Sequence, residues 1–252
     1  MMRLHPRYIW ARQLVALAVM LAIWEAAGRA NMLNPLYFPN PSRIAATLVE
    51  LFSDGRIWPH LNATFIAALG GLALGIAVGI LLGIVAALVQ FMAELLEPVM
   101  TVLNAIPRVI LAPLFVIWLG IGLASKIALS FILVAVLIFF TVFTGIRQVD
   151  RRFVERVITL GGDRWAIVRH VYLPSVAAWV LSNLKIAVGF AFTGALVGEF
   201  VAATRGLGYL LSFAQSTYNA ALMFALILLI LVVVLLIFGI AGQLEKYLLR
   251  WN

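Results

Sequence analysis

The sequence predicts an all-α fold: a polytopic transmembrane helical bundle of about six spans, forming one transmembrane domain over residues 1–252. Three observations predict it. First, the 252 residues are 65% hydrophobic and only 11% charged, with a mean hydropathy of +1.11. A soluble domain is roughly half apolar and about a quarter charged, so these side chains cannot cover a surface that faces water. Second, several apolar stretches reach the roughly 18 residues needed to cross the hydrocarbon of a bilayer. Third, the basic residues behind the net charge of +8 lie between those stretches instead of forming one basic face. That is the pattern of a topology signal, and it excludes nucleic acid as the partner. With no cysteine, disulfides, thiolate metal sites and cysteine nucleophiles are all ruled out.

The first span covers 13–28. Arg3, Arg7 and Arg12 precede an apolar run, and Ala26-Ala27-Gly28 imitates a signal-peptide cleavage site. Glu25 beside that site and the spans downstream predict an uncleaved helix in which Glu25 is structural. Residues 31–60 are rich in turn formers (Asn34-Pro35, Pro39-Asn40-Pro41-Ser42), with a short amphipathic helix over 43–52. The second span, 62–91, is long enough to tilt or project. The third, 95–119, is broken by Pro107 and Pro113. Gly120-Ile121-Gly122 makes a tight turn into the fourth span, 126–146. A charged segment follows over 147–170. The fifth span is 175–200, residues 201–219 are a mixed connection, and the sixth span is 220–244. With the N-terminus in the cytoplasm, eleven Lys and Arg lie inside and five, Lys126 among them, lie outside. The bias puts both termini in the cytoplasm of a bacterial inner membrane, with membrane lipid as the surrounding partner.

In the second span Ala67, Gly71, Gly75, Gly79, Gly83 and Ala87 recur every four residues. Four residues is just over one helical turn, so they form one smooth stripe for close helix approach. Two readings stand, a helix that slides or dimerises and static packing in a bundle.

Residues 147–174 are the long charged stretch between spans. The pattern is helix, glycine turn, helix, stop. Gly161-Gly162 permits the positive φ that ends one helix, Asp163 caps the next, and Pro174 marks its boundary with the following span. Trp165, Val168 and Tyr172 fall on one face of the second helix, with Arg164 and Arg169 projecting elsewhere. A short helix with an aromatic knob, held out of the membrane, suits docking into a partner's groove.

The spacing of Glu155, Gly161, Val171, Leu173 and Pro174 resembles the signature loop of permease subunits in binding-protein-dependent ABC importers. That pattern is Glu-Ala-Ala, three residues, Gly, nine residues, Ile, any residue, Leu-Pro. Here Arg156-Val157 replaces the two alanines and Val171 replaces isoleucine. Pro39-Asn40-Pro41-Ser42, Ile106-Pro107-Arg108, Leu111-Ala112-Pro113-Leu114, Trp118-Leu119-Gly120-Ile121-Gly122, Gly198-Glu199-Phe200 and Gly206-Leu207-Gly208-Tyr209-Leu210 are similar to segments of the nitrate/sulfonate/taurine class of that family.

The resemblance implies a type I ABC importer permease architecture and a multi-pass inner-membrane location. It implies a coupling helix within about 147–174 that docks on an ATPase, through Glu155, Gly161, Asp163, Arg164, Trp165, Arg169, Leu173 and Pro174. Its expected partners are two copies of an ABC ATPase subunit, a periplasmic or lipid-anchored solute-binding protein, and a second permease copy in a homodimer. No Gly-x-x-x-x-Gly-Lys-Ser/Thr occurs, so no cofactor is expected in this chain, and ATP and Mg belong to the partner ATPase. The solute implied is a small anion such as a sulfonate, taurine or nitrate, with a vitamin-precursor heterocycle as the alternative.

Candidate pathway residues are those inside spans, where a charge is costly. Arg108, between Pro107 and Pro113, is either a gate residue or a snorkelling arginine. Lys185 either neutralises an anionic substrate, pairs with Glu199, or snorkels. Glu199 is either a gate residue or a structural partner. Two other classes compete. A secondary transporter would need more intramembrane carboxylates and would leave the charged loop without a role. An intramembrane enzyme would need a membrane-depth base, yet His5, His60 and His170 lie outside the expected spans, leaving only an uncorroborated Ser182–Lys185 dyad.

Overall fold

The computed structural model describes residues 6–248, and the regular elements among them are helices. They are α1 (Pro6–Arg29), α2 (Pro41–Ser53), α3 (Ile57–Leu88), α4 (Gln90–Ala105), α5 (Arg108–Leu119), α6 (Leu123–Arg147), α7 (Arg151–Thr159), α8 (Arg164–Ile167), a π-helical turn (Val168–Tyr172), α9 (Leu173–Ser182), α10 (Leu184–Val201), α11 (Leu207–Ser216) and α12 (Ala220–Leu248). Arg3, His5 and Arg250 lie outside the described residues. Two compact units form, Met1–Trp58 with Leu210–Leu231, and Pro59–Tyr209 with Val232–Asn252.

In the first unit α1 packs on α2. Glu25 Oε1 accepts from Arg29 Nε at 2.7 Å and from Ser42 Oγ at 2.8 Å, and Glu25 Oε2 accepts from Ser42 N at 3.0 Å. A carboxylate near the end of α1 therefore fixes where α2 begins. Trp24 meets Phe224 edge-on at 6.0 Å in the same unit.

The second unit is built around α6, whose buried residues run from Ser125 to Ile146. The glycine stripe of α3 lies on it. A Cβ at Gly71 would sit 2.2 Å from Ser130 Oγ, at Gly75 2.5 Å from Val134 Cβ, and at Gly83 2.8 Å from Val142 Cβ. Within one chain the stripe thus serves close packing against α6. Its partners climb α6 in step with it, so α3 and α6 run parallel. On another side α10 runs antiparallel, because Gly194 meets Ser130 while Gly198 meets Lys126. Phe65, Phe192, Ile138 and Val142 fill the space between these helices.

That parallel pairing decides the path of residues 89–122. The chain leaves α3 at Leu88 and enters α6 at Leu123, at opposite ends of two parallel helices, and must recross about 30 Å between them. It does so through α4 and α5, which meet at a 108° bend next to Pro107. Among the described residues five helices are long and apolar enough to span singly, and the bent pair counts as a sixth crossing. The expected break at Pro107 is present, whereas Pro113 lies inside α5.

The fifth crossing departs from the single span expected over 175–200. It is α9 followed by α10, interrupted at Asn183, which caps both. Gly145 meets Trp179 just as Ser130 meets Gly194, so fifteen residues along α6 match fifteen along α9 and α10. The interruption leaves the two on one line.

Candidate functional site

The two ends of the second unit carry different chemistry, separated by the length of α6 from Lys126 to Arg147, about 32 Å. At one end is the 147–174 segment. Asp150 caps α7 by accepting from Arg152 N at 2.9 Å, and Asp163 Oδ1 caps α8 by accepting from Ala166 N at 2.8 Å. Between them Gly161 takes φ +79, with open space where a Cβ would stand. Glycine is needed there for the backbone angle alone. No residue of α7 or α8 is buried. Leu160 is 81% exposed, Trp165 66%, Phe153 58% and Ile158 56%, an apolar set interleaved with exposed Glu155, Arg164 and Arg169.

The expected stop at Pro174 is absent. The chain continues from α8 through the π-helical turn into α9, with Pro174 in the first turn of α9. Proline lacks the N–H of an α-helical bond and its ring crowds the carbonyl four residues back, and a widened turn relieves both. The shared face expected for Trp165, Val168 and Tyr172 divides accordingly. Trp165 points to solvent, while Tyr172 packs on the buried core beside Val176 and Val180. Leu173 stays half-exposed, and Pro174 lines a cleft of about 510 Å³ with Phe153, Arg156, His170 and Trp179.

At the other end a polar knot surrounds Glu199, which is 2% exposed. Its Oε2 accepts from Thr64 Oγ1 at 2.8 Å and from Gly208 N at 2.9 Å. Thr64 Oγ1 in turn accepts from Leu207 N at 2.9 Å. Gly206 N donates to His60 Nδ1 at 3.1 Å, and the His60 ring stacks on Tyr209 at 5.8 Å. The glycines are required by space. A Cβ at Gly206, whose φ is +125, would lie 2.2 Å from Glu199 Cδ, and one at Gly208 would lie 2.3 Å from the Leu196 carbonyl. A buried carboxylate held by a hydroxyl and a backbone N–H keeps its solvation within the protein.

Lys185 does not reach Glu199. Fourteen residues along α10 separate them by about 21 Å. Lys185 Nζ instead pairs with Glu245 Oε2 on α12 at 3.0 Å, its stem lying across Gly242, where a Cβ would stand 2.6 Å from Lys185 Cε. Arg108 opens α5 beside Pro107, and its side chain is outside the described atoms. Lys126, assigned by sequence to an outer connection, is 3% exposed inside α6. Its Nζ donates to the Ile121 carbonyl and to Ser125 Oγ. It shares with Glu199 a cleft of about 280 Å³. Sequence reasoning missed Thr64, His60 and Lys126. The Gly206-Leu207-Gly208 motif was the one available signal for the knot, since the Thr64–Glu199 bond spans 135 residues.

Comparison with known proteins agrees with this geometry. The family model described as "Binding-protein-dependent transport system inner membrane component" matches residues 79–250. The chain is 34% identical to the riboflavin transport system permease protein RibX of Chloroflexus aurantiacus, over 94% of this chain and 89% of RibX. It is 27% identical to the taurine transport system permease protein TauC of Escherichia coli, over 99% of this chain and 94% of TauC. Among solved structures, a chain of the inward-facing methionine ABC transporter MetNI superposes with a TM-score of 0.59 at 22% identity, covering 76% of this chain and 93% of that one.

Proposed function

This chain belongs to the family of binding-protein-dependent transport system inner-membrane components, and from that premise we propose that its 147–174 segment is the coupling element that docks on an ATPase. It is the multi-pass membrane subunit of an ABC importer and is not an enzyme. ATP is hydrolysed by a separate chain, and a solute-binding protein completes the system. One observation carries the docking role: Trp165 and Leu160 stand exposed on a capped glycine turn beyond the end of α6, where packing within the chain gives them no task. Both termini are cytoplasmic on this reading, and the Glu199 knot faces the binding protein. Two permease copies and two ATPases make the complex, with ATP and Mg held by the ATPases. Closure of the ATPases draws the two coupling segments together and switches the bundle between two global states.

The solute suggested by sequence is a small anion such as taurine, a sulfonate or nitrate, with Arg108, Lys185, Pro107 and Glu199 along its path. A specific observation favours the second reading, a vitamin-type heterocycle. Lys185 already pairs with Glu245, so the pair as a whole offers an anion no net charge. The likeness to RibX points the same way.

Purification of the tagged chain from its native membranes in mild detergent tests the docking role. A near-stoichiometric ATPase that is lost when residues 161–169 are altered supports it. An ATPase that stays bound to the altered chain overturns it. The co-purified binding protein then decides the solute, by titration with taurine against riboflavin.

A further inference from the structure

Lys126 and Glu199 are 3% and 2% exposed, and both line the cleft at the end of the bundle away from the 147–174 segment, together with Asn62, Ile121, Thr204 and Arg205. Opposite charges buried against one cleft gain by pairing, because each lowers the other's cost of leaving water. These two do not pair. The ion pairs among the described residues join Arg29 to Glu25, Arg56 to Asp54, and Lys185 to Glu245. Lys126 instead ties down the turn ahead of α6, through the Ile121 carbonyl.

Helix positions do not hold the two charges apart. A Cβ at Gly198, the residue before Glu199, would stand 3.3 Å from Lys126 Cγ. The stem of Lys126 therefore already lies on α10. Its four-carbon chain is flexible, and rotation of its outer torsions is the motion that would turn the ammonium from Ile121 towards Glu199. The turn it would release keeps one other side-chain tie, Ser125 Oγ donating to the Gly122 carbonyl at 3.0 Å. That turn ends the bent α4–α5 crossing. Moving one side chain would thus loosen one end of the broken span and place a positive charge beside the buried carboxylate of the knot.

We propose that Lys126 is a two-position tie in the transport cycle. In the arrangement described above it holds the turn at Ile121. In the other global state it leaves that turn and pairs with Glu199, closing the cleft. Each state then has its own contact, which a two-state switch requires. The inference rests on the importer reading.

The cysteine-free sequence allows a direct test. Ile121→Cys and Thr204→Cys place two spin labels on exposed positions of the cleft and leave the Ile121 carbonyl in place. Their separation is read by pulsed electron resonance in the purified complex with its ATPase, nucleotide-free and then trapped with ATP, Mg and vanadate. The labelled parent should show a shifted distance peak on trapping. Lys126→Gln and Glu199→Gln should abolish the shift, and Lys126→Arg should retain it. Lys126→Gln touches no bond of the knot, and the amide oxygen of Glu199→Gln still accepts from Thr64 and Gly208, so both variants should assemble. A shift that persists in either neutral variant, or no shift in a parent complex that hydrolyses ATP, overturns the tie and leaves the importer reading standing. A parent complex that neither contains nor stimulates an ATPase overturns both.

Discussion

Thr64 shows how much one hydroxyl can hold. It is fully buried, donates to Glu199 and accepts from Leu207 N. Thr64→Val keeps the shape but leaves a buried N–H orphaned and a carboxylate short of a donor, a loss of about 1–3 kcal/mol. The unfolding midpoint of the detergent-purified chain should fall, and Thr64→Ser should restore most of it. Trp165 is the opposite case, since its ring is mostly exposed. Trp165→Ala should leave the unfolding midpoint unchanged while weakening ATPase association by about 2 kcal/mol, roughly thirtyfold, as removal of an aromatic anchor does. Titration of the ATPase onto the solubilised chain reads that loss. A lowered midpoint would mean that the ring packs within the chain after all.

Elements here are positioned by backbone approach more than by interlocking large side chains. At Gly79 an added Cβ would lie 2.8 Å from both the Ala135 carbonyl and Ile138 Cβ. Gly79→Val should therefore force α3 off α6 at a cost of about 1–3 kcal/mol, the usual penalty for overpacking. Gly239 on α12 has nothing within 4 Å of a built Cβ. Gly239→Ala should be neutral, or stabilising by up to about 1 kcal/mol through helix propensity. Thermal denaturation of both variants in one detergent checks the contrast. The two broken crossings follow different rules. At Pro107 the missing donor and the ring force a 108° bend, whereas Asn183 interrupts α9 and α10 without turning them off the line of α6.

At the scale of the whole molecule charge is sparse, and one ion pair ties two long helices together. Lys185 and Glu245 join α10 to α12. If the pair is a structural tie, Lys185→Met or Glu245→Met alone should lower transport by leaving its partner unpaired at membrane depth. The double variant should recover most of the uptake. If Lys185 serves the solute directly, the double variant should remain as defective as Lys185→Met. Uptake driven by ATP in proteoliposomes with the binding protein separates the two outcomes.

Composition and periodicity were enough to determine the solvent, the fold class and the approximate spans, because hydrophobic length is written along the chain, and the family followed from the resemblance of its local motifs. The caps at Asp150 and Asp163 and the positive φ at Gly161 were equally legible, each being set by residues within a few positions of one another. Contacts between distant segments were not. Nothing local tells that Thr64 bonds Glu199, that Lys185 finds Glu245, or that Lys126 is buried. The rise of 1.5 Å per residue by itself excludes a Lys185–Glu199 pair within one helix. Only the tertiary structure decided which face of each helix meets which neighbour. That choice depends on the register between helices, and register is fixed by packing across the whole bundle, with no one segment specifying it alone.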